Sequence, residues 1–159
     1  MNERIDARGV LTVRLTDRAG RVCMEGRYGN RIVKSGRLMV AQQFSPQPGI
    51  PVPGPIGFIG VGTDSTAAAD AQTALVAERA RNPITSRRYE DFTDATGAAR
   101  VRIVLTTLFD YNDANGAAPL TEAGSFTTAS GGTMYNRVVF PAVTKTNAFQ
   151  LTLLWNVEF

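Results

Sequence analysis

The sequence predicts a mainly β protein: an antiparallel β-sandwich or barrel with one substantial helix at about residues 31–44, after an N-terminal hairpin. Apolar and polar residues alternate with a period of two in several stretches, which is the pattern of half-buried strands. Turn signals separate these stretches at intervals of roughly 8–12 residues, as in sandwiches and barrels. The length of 159 residues is that of about one domain, so we expect a single domain over residues 1–159.

The hairpin comes first. Residues 9–17 alternate cleanly, with Leu11, Val13 and Leu15 on one face. Residues 17–20 (DRAG) supply a turn in which Gly20 can take a positive φ, and residues 21–27 return as the second strand. Cys23 lies in this returning strand, and the usual burial of free cysteines predicts a small core residue there.

The helix is predicted over residues 31–44, with Asn30 as a plausible N-cap. Its apolar residues fall mainly on one helical stripe, although a Ser-Gly pair at residues 35–36 weakens the first turns. On that stripe we expect Met39 and Phe44 to pack in the core.

A proline-rich loop follows over residues 45–55. Its alternate prolines oppose sheet pairing and stiffen the chain, so we expect a rigid loop that projects from the domain. The apolar side chains of Ile50 and Val52 stand in this otherwise exposed segment, where they could contact a neighbouring molecule.

Strands account for most of the remaining sequence. Residues 56–62 carry glycines in the order GxxGxG, which is not a phosphate-binding loop, and close approach of backbones explains them better. Further strands are predicted at residues 87–92, 100–109, 120–127, 133–140 and 147–159. In the last of these, Trp155 falls on the alternating apolar face, so we expect it in the core.

Missing residue types exclude several kinds of chemistry. The chain has no His and one Cys, so it lacks a Ser-His or Cys-His nucleophile pair, a zinc site of the usual type and an internal disulfide. We therefore predict no enzyme activity, no catalytic residue and no cofactor. A hydrolase that uses Glu90, Asp91 and Asp94 stays formally open, but these acids lie beside a turn and are more simply explained as solvated.

The sequence also predicts no metal site. Asp110, Asn112 and Asp113 in a turn-rich loop suggest calcium, yet the closing Glu of the EF-hand loop is missing.

The distribution of charge and hydropathy indicates whether the protein contacts nucleic acids or membranes. The net charge is +3, and 15 of the 17 basic residues are Arg. They are dispersed, without a run of five like charges, so direct nucleic-acid contact is not expected. No apolar run of about 18 residues is present, and no membrane contact is predicted. The first residues lack the apolar stretch of a secretory signal, so we expect synthesis in a cytoplasm.

Three stretches, in this order, carry a resemblance to a known class of proteins. They are residues 9–37 with GVLTV, DRAGRV and NRIV, residues 59–75 with IGVGTDST and DAQTAL, and residues 120–155 with LTEAGSF, GGTM, RVVF, VTKT and LTLLW. These stretches resemble small virion proteins of tailed bacteriophages, tail-collar and tail-fibre proteins among them, with their VGTGTT, ITEAGLF and GGTLLARVVF patterns. Ser125 departs from the pattern, which has Leu there, and this predicts a less buried strand face.

The resemblance implies a non-enzymatic structural subunit of the virion. It does not fix the position in the particle, and we expect association with the tail or neck. Its partners would be other virion proteins and further copies of itself, assembled in the bacterial host cytoplasm. A capsid decoration protein and a β-sandwich that binds a host receptor or carbohydrate are the alternatives. Repeated contacts between subunits then need surface residues, and the candidates are Arg4, Arg8, Pro46, Pro48, Ile50, Pro51, Val52 and Pro53.

Overall fold

The computed structural model describes residues 7–159, which form ten strands and one helix. In chain order the elements are β1 (Arg8–Asp17), β2 (Val22–Gly29), β3 (Arg31–Ile32), α1 (Lys34–Phe44), β4 (Phe58–Gly62), β5 (Glu78–Pro83), β6 (Ser86–Thr93), β7 (Ala99–Phe109), β8 (Leu120–Phe126), β9 (Met134–Val143) and β10 (Phe149–Glu158).

Two five-stranded antiparallel sheets pack as a sandwich, which confirms the predicted fold class and selects the sandwich over the barrel. The first sheet has the order β2-β1-β10-β7-β6, and the second has the order β3-β9-β8-β4-β5. Consecutive strands pair within each sheet in several places, but β10 enters the first sheet between β1 and β7.

The core lies between the sheets. In the first sheet the alternating residues of β1 and β10 point inward, and Leu11, Val13 and Trp155 have no exposed surface. Ile59 and Val138 meet them from the second sheet as part of the same apolar cluster. The predicted core position of Trp155 is therefore confirmed, and both sheets share one core.

The N-terminal hairpin forms as predicted. The Asp17 carboxylate accepts hydrogen bonds from the backbone N–H groups of Ala19 and Arg21, both at 2.9 Å, and Gly20 has a φ of +80°. Position 23 differs from the prediction, because Cys23 is exposed. Its neighbour Met24 packs against the core, so alternation turns Cys23 to the other face of β2, an edge strand of the first sheet.

The helix is shorter than predicted. Residues Arg31–Ile32 form β3 and pair with β9 instead of starting the helix, and Val33 is still extended at the N-cap. Met39 is buried as expected, but Phe44 is 91% exposed and its predicted core position is wrong. Phe44 is the last residue of α1, beyond the part that packs on β9, so no strand covers it.

Two further differences concern the second sheet. Ser125 is buried, not exposed, because it shares the inner face of β8 with Ala123, and its hydroxyl bonds Asn136. Strand β5 was not predicted, since ERARNP shows no alternation. At Gly62 a Cβ would collide with the Ala77 carbonyl oxygen and the Glu122 carboxylate, so close approach explains this glycine.

Candidate interaction surface

A groove opens between helix α1 and the β6 edge of the first sheet; we call it the α1–β6 groove. Its volume is about 370 Å³, within the range of ligand clefts. Apolar and aromatic side chains dominate its lining, and one charged residue contributes. The lining residues are Met39, Val40, Gln43, Pro55, Ile56, Arg87, Tyr89, Ile103, Leu105, Ser125, Tyr135, Asn136, Trp155, Val157 and Phe159.

Strand register explains why one wall of the groove is open. Tyr89 of β6 pairs with Ile103 of β7, and Arg87 pairs with Leu105. Paired residues point to the same face of a sheet, so Tyr89 and Arg87 share the inner face with the buried Leu105. The second sheet covers that face elsewhere, but Tyr89 remains 73% exposed. The inner face of the first sheet is thus left uncovered along β6.

Helix α1 forms the opposite wall. Met39 packs into the core, while Val40 and Gln43 border the groove. Phe44 lies four residues after Val40, which places both on one side of the helix. Because both side chains are exposed, an apolar row continues from the groove to the end of α1.

The inner end of the groove is polar and incompletely paired. The Ser125 hydroxyl donates to Asn136 Oδ1 at 2.7 Å, which leaves Asn136 Nδ2 and the Tyr135 hydroxyl as buried atoms without a hydrogen-bond partner. Both residues are more than nine-tenths buried, where polar groups normally have partners. Burial also raises the pKa of Tyr135, so its hydroxyl stays protonated. Both atoms lie at the base of the groove with almost no accessible surface.

The predicted contact residues divide into three groups. Arg4 lies outside the described residues. Arg8 begins β1 and lines a smaller cleft with Phe92 and Glu158; this cleft and the groove share Phe159. The six loop residues lie together between α1 and β4: all are exposed except the half-buried Pro53. They are Pro46, Pro48, Ile50, Pro51, Val52 and Pro53.

The proline-rich loop, residues 45–55, adjoins the groove. It contains a turn in which the Ile50 N–H donates to the Gln47 carbonyl at 3.2 Å. With Pro48 second and Gly49 third at a φ of +80°, this is the type II arrangement. The loop then returns to the sandwich, and Pro55 closes one end of the groove. The predicted loop is thus brought beside a surface that the sequence did not reveal.

Sequence reasoning missed the groove itself. Tyr89 and Asn136 each lie in a predicted strand. No feature of the sequence near Tyr89, however, indicates that the second sheet ends before it covers this residue. Adjacent Tyr135 and Asn136, in a strand that is otherwise apolar apart from Arg137, were the available signal for a polar patch.

A buried ionic cluster on the other side of the second sheet holds the segment between β4 and β5. The Arg137 guanidinium contacts Glu122 at 2.8 Å, and neither side chain has exposed surface. Glu122 also accepts the backbone N–H of Ala77 at 2.8 Å, and Arg137 donates to the Thr66 carbonyl at 2.7 Å. These contacts tie β8 and β9 to the segment between β4 and β5, so we assign the pair a structural role.

The acidic loop that suggested calcium is held by its own hydrogen bonds. Asp113 accepts the N–H of Asp110 at 3.0 Å, and Asp110 accepts Gln150 at 2.9 Å. Among residues 7–159 no group of three or more potential metal-ligating side chains occurs. Within the same range no helix is both long and apolar enough to cross a membrane.

No protein-family model, curated protein or solved structure matches this chain.

Proposed function

We propose that this protein is a non-enzymatic structural subunit of a tailed bacteriophage particle, associated with the tail or neck, and that it acts through repeated subunit contacts. One observation carries the proposal: an open apolar groove lies beside an exposed, uncharged loop. Exposed apolar surface of this kind can serve as a site of contact with another subunit. The order of the three phage-like stretches supports the same class.

Three aromatic residues, Trp155, Tyr135 and Tyr111, give no support to the alternative of a carbohydrate-binding module. Sugar-binding aromatics must present a ring face to solvent. Trp155 is fully buried and Tyr135 is 5% exposed. The Tyr111 ring is covered by the Arg18 guanidinium, 4.2 Å from the ring centroid.

Particle composition tests the proposal. Phage particles are purified from the bacterial host that carries the coding sequence, and the copies of this chain per particle are counted by quantitative mass spectrometry. We expect several copies per particle, which remain bound through a density gradient. Electron microscopy with a labelled chain should then show density at the tail or neck. A chain that stays in the soluble fraction and binds glycans in an array overturns the proposal.

A further inference from the structure

We propose that two copies of this chain pair edge to edge through strand β6, antiparallel about a two-fold axis at Tyr89. The first sheets of the two copies, each of five strands, then continue as one sheet of ten. The contact names one way in which the subunits repeat, and in that respect it rests on the proposed function. Its physical basis is the order of charges in the sequence RRYED at residues 87–91.

Strand β6 presents a regular free edge. It is the last strand of the first sheet and has a neighbour, β7, on one side only. Its eight residues contain no proline, and it pairs with β7 without a bulge. Proteins commonly interrupt exposed edges with prolines or bulges. At β2, the opposite edge of this sheet, such a bulge lies beside Leu15 and Thr16, so β6 is the edge left open to a further strand.

Backbone groups of alternate residues in β6 face this free edge. Asp94, directly after the strand, donates its N–H to the Ala98 carbonyl at 3.0 Å, which continues the register of β6 with β7. Because hydrogen-bonded pairs alternate in an antiparallel ladder, the even-numbered residues of β6 bond β7. The N–H and C=O groups of Arg87, Tyr89 and Asp91 therefore point away from β7, where a second strand can bond them.

The charges of β6 reverse sign at Tyr89, which makes the strand complementary to itself. When Tyr89 lies opposite Tyr89 of a second copy, Arg87 lies opposite Asp91. In the same register Arg88 lies opposite Glu90, and symmetry repeats both pairs. Opposite charges and aromatic rings directly across an antiparallel pair are stabilising, whereas like charges are destabilising. A slip of two residues in either direction opposes Arg88 with Arg88 or Glu90 with Glu90, so the charges select one register.

The side chains that form these pairs are accessible. Tyr89 is 73% exposed, and Arg87, Arg88 and Asp91 are exposed as well. Within residues 7–159 the Asp91 carboxylate forms no ion pair, and Arg87 donates to the Ile56 carbonyl at 3.3 Å but contacts no carboxylate. A second copy of β6 supplies each of them with a partner of opposite charge.

Charge reversal tests the pairing, because two variants that each fail alone should recover when they are mixed. Arg87→Asp opposes aspartates across the axis, and Asp91→Arg opposes arginines. In the mixture each pair again joins opposite charges. Arg27→Asp is the matched control, since Arg27 is exposed on β2, the other edge strand of the same sheet. Sedimentation velocity from ~1 μM to ~1 mM measures association, and circular dichroism shows that each variant is folded.

One pair of strands is a small interface, so we expect wild-type protein to dimerise with a Kd between ~1 μM and ~1 mM. Reversal at residue 87 or residue 91 should weaken dimerisation ~10-fold or more. Arg27→Asp should leave it unchanged, and the equimolar mixture should form heterodimers of about wild-type strength. A wild-type chain that is monomeric at every concentration overturns the inference. Reversals without effect, a mixture that does not recover, or an equal loss in Arg27→Asp also overturn it.

Disulfide formation tests the register itself. Directly opposite residues of a hydrogen-bonded pair have Cα atoms ~5.5 Å apart, which a disulfide can span. In a Cys23→Ser background, which removes the exposed native thiol, Tyr89→Cys should give a covalent dimer on mild oxidation. Thr93→Cys on the same edge should not, because the two copies of residue 93 lie ~26 Å apart in this register. Cross-linking at residue 93 that equals or exceeds that at residue 89 overturns the inference. None of these measurements depends on the particle count, which alone decides the proposed function.

Discussion

Arg137→Met should strongly destabilise the protein, because it removes the cation from a buried ion pair. In the native chain the Arg137 guanidinium contacts Glu122 at 2.8 Å, and both side chains are fully buried. Methionine fills much of the same space. Glu122 would keep its hydrogen bonds from the backbone N–H groups of Val76 and Ala77, but its negative charge would lose the fully buried cation beside it.

Breaking a buried pair from one side costs about 3–5 kcal/mol, a large part of the ~5–15 kcal/mol that stabilises an ordinary domain. For a chain of this size each kcal/mol shifts Tm by ~2–4 °C, so we expect Tm to fall by ~6–20 °C. The neutral double variant E122Q/R137M removes both charges of the pair. It should therefore recover at least ~1 kcal/mol relative to Arg137→Met alone.

Urea titration followed by tryptophan fluorescence measures these differences, because Trp155 is buried in the native core. Arg14→Met is the matched control: Arg14 contacts Glu25 at 2.6 Å with side chains 38% and 42% exposed, and a surface pair contributes ~0–1 kcal/mol. If Arg137→Met lowers the free energy of unfolding by no more than Arg14→Met does, the assignment of Arg137 as the cation that neutralises Glu122 is refuted.

Three further predictions concern other parts of the chain. Gly36→Ala should destabilise the protein and detach α1 from β9, since its Cβ would collide with the Tyr135 carbonyl oxygen; amide hydrogen exchange in α1 measures this, and unchanged protection contradicts it. Arg31 and then Arg37 lower the pKa of Asp70 to about 2, so its contribution to stability is present above pH 3.8 and is lost as pH falls toward 2; Asp70→Asn should flatten stability across that window in acid titrations. Cys23 is exposed and should react with Ellman's reagent in native protein, whereas reaction only in denaturant contradicts the structure.

The sequence predicted the strands whose two faces differ. Alternation identified β1, β7 and β10 because each has one face on the core and one toward solvent or a neighbour. Alternation did not reveal β5, because the side chains of this strand are half-buried along most of its length and its apolar and polar residues do not alternate. It also began the helix too early, because the pairing of Arg31 with Arg137 depends on a strand that is distant in sequence.

Burial at single positions was harder to predict than secondary structure. Phe44 is apolar, yet it lies beyond the part of α1 that packs on β9. Cys23 is exposed because it points to the outer face of the edge strand β2, and neither position is encoded locally. Ser125 is buried because Asn136 supplies a partner. The proline-rich loop was identifiable from its own composition. The groove was not, since its walls come from α1, β6 and β10 and exist only after folding.

The place of β10 in the first sheet has a consequence for synthesis. It is the central strand, bonded to β1 on one side and β7 on the other, and it leaves the ribosome after both. Until then the β1 edge of the β1–β2 hairpin is unpaired and its apolar face is uncovered. Pairing over such sequence separation makes folding slow. Nascent chains made at high local concentration can meanwhile pair edge to edge. Pairing of β10 with β1 closes this edge and so protects a new subunit from association with its neighbours before it has folded.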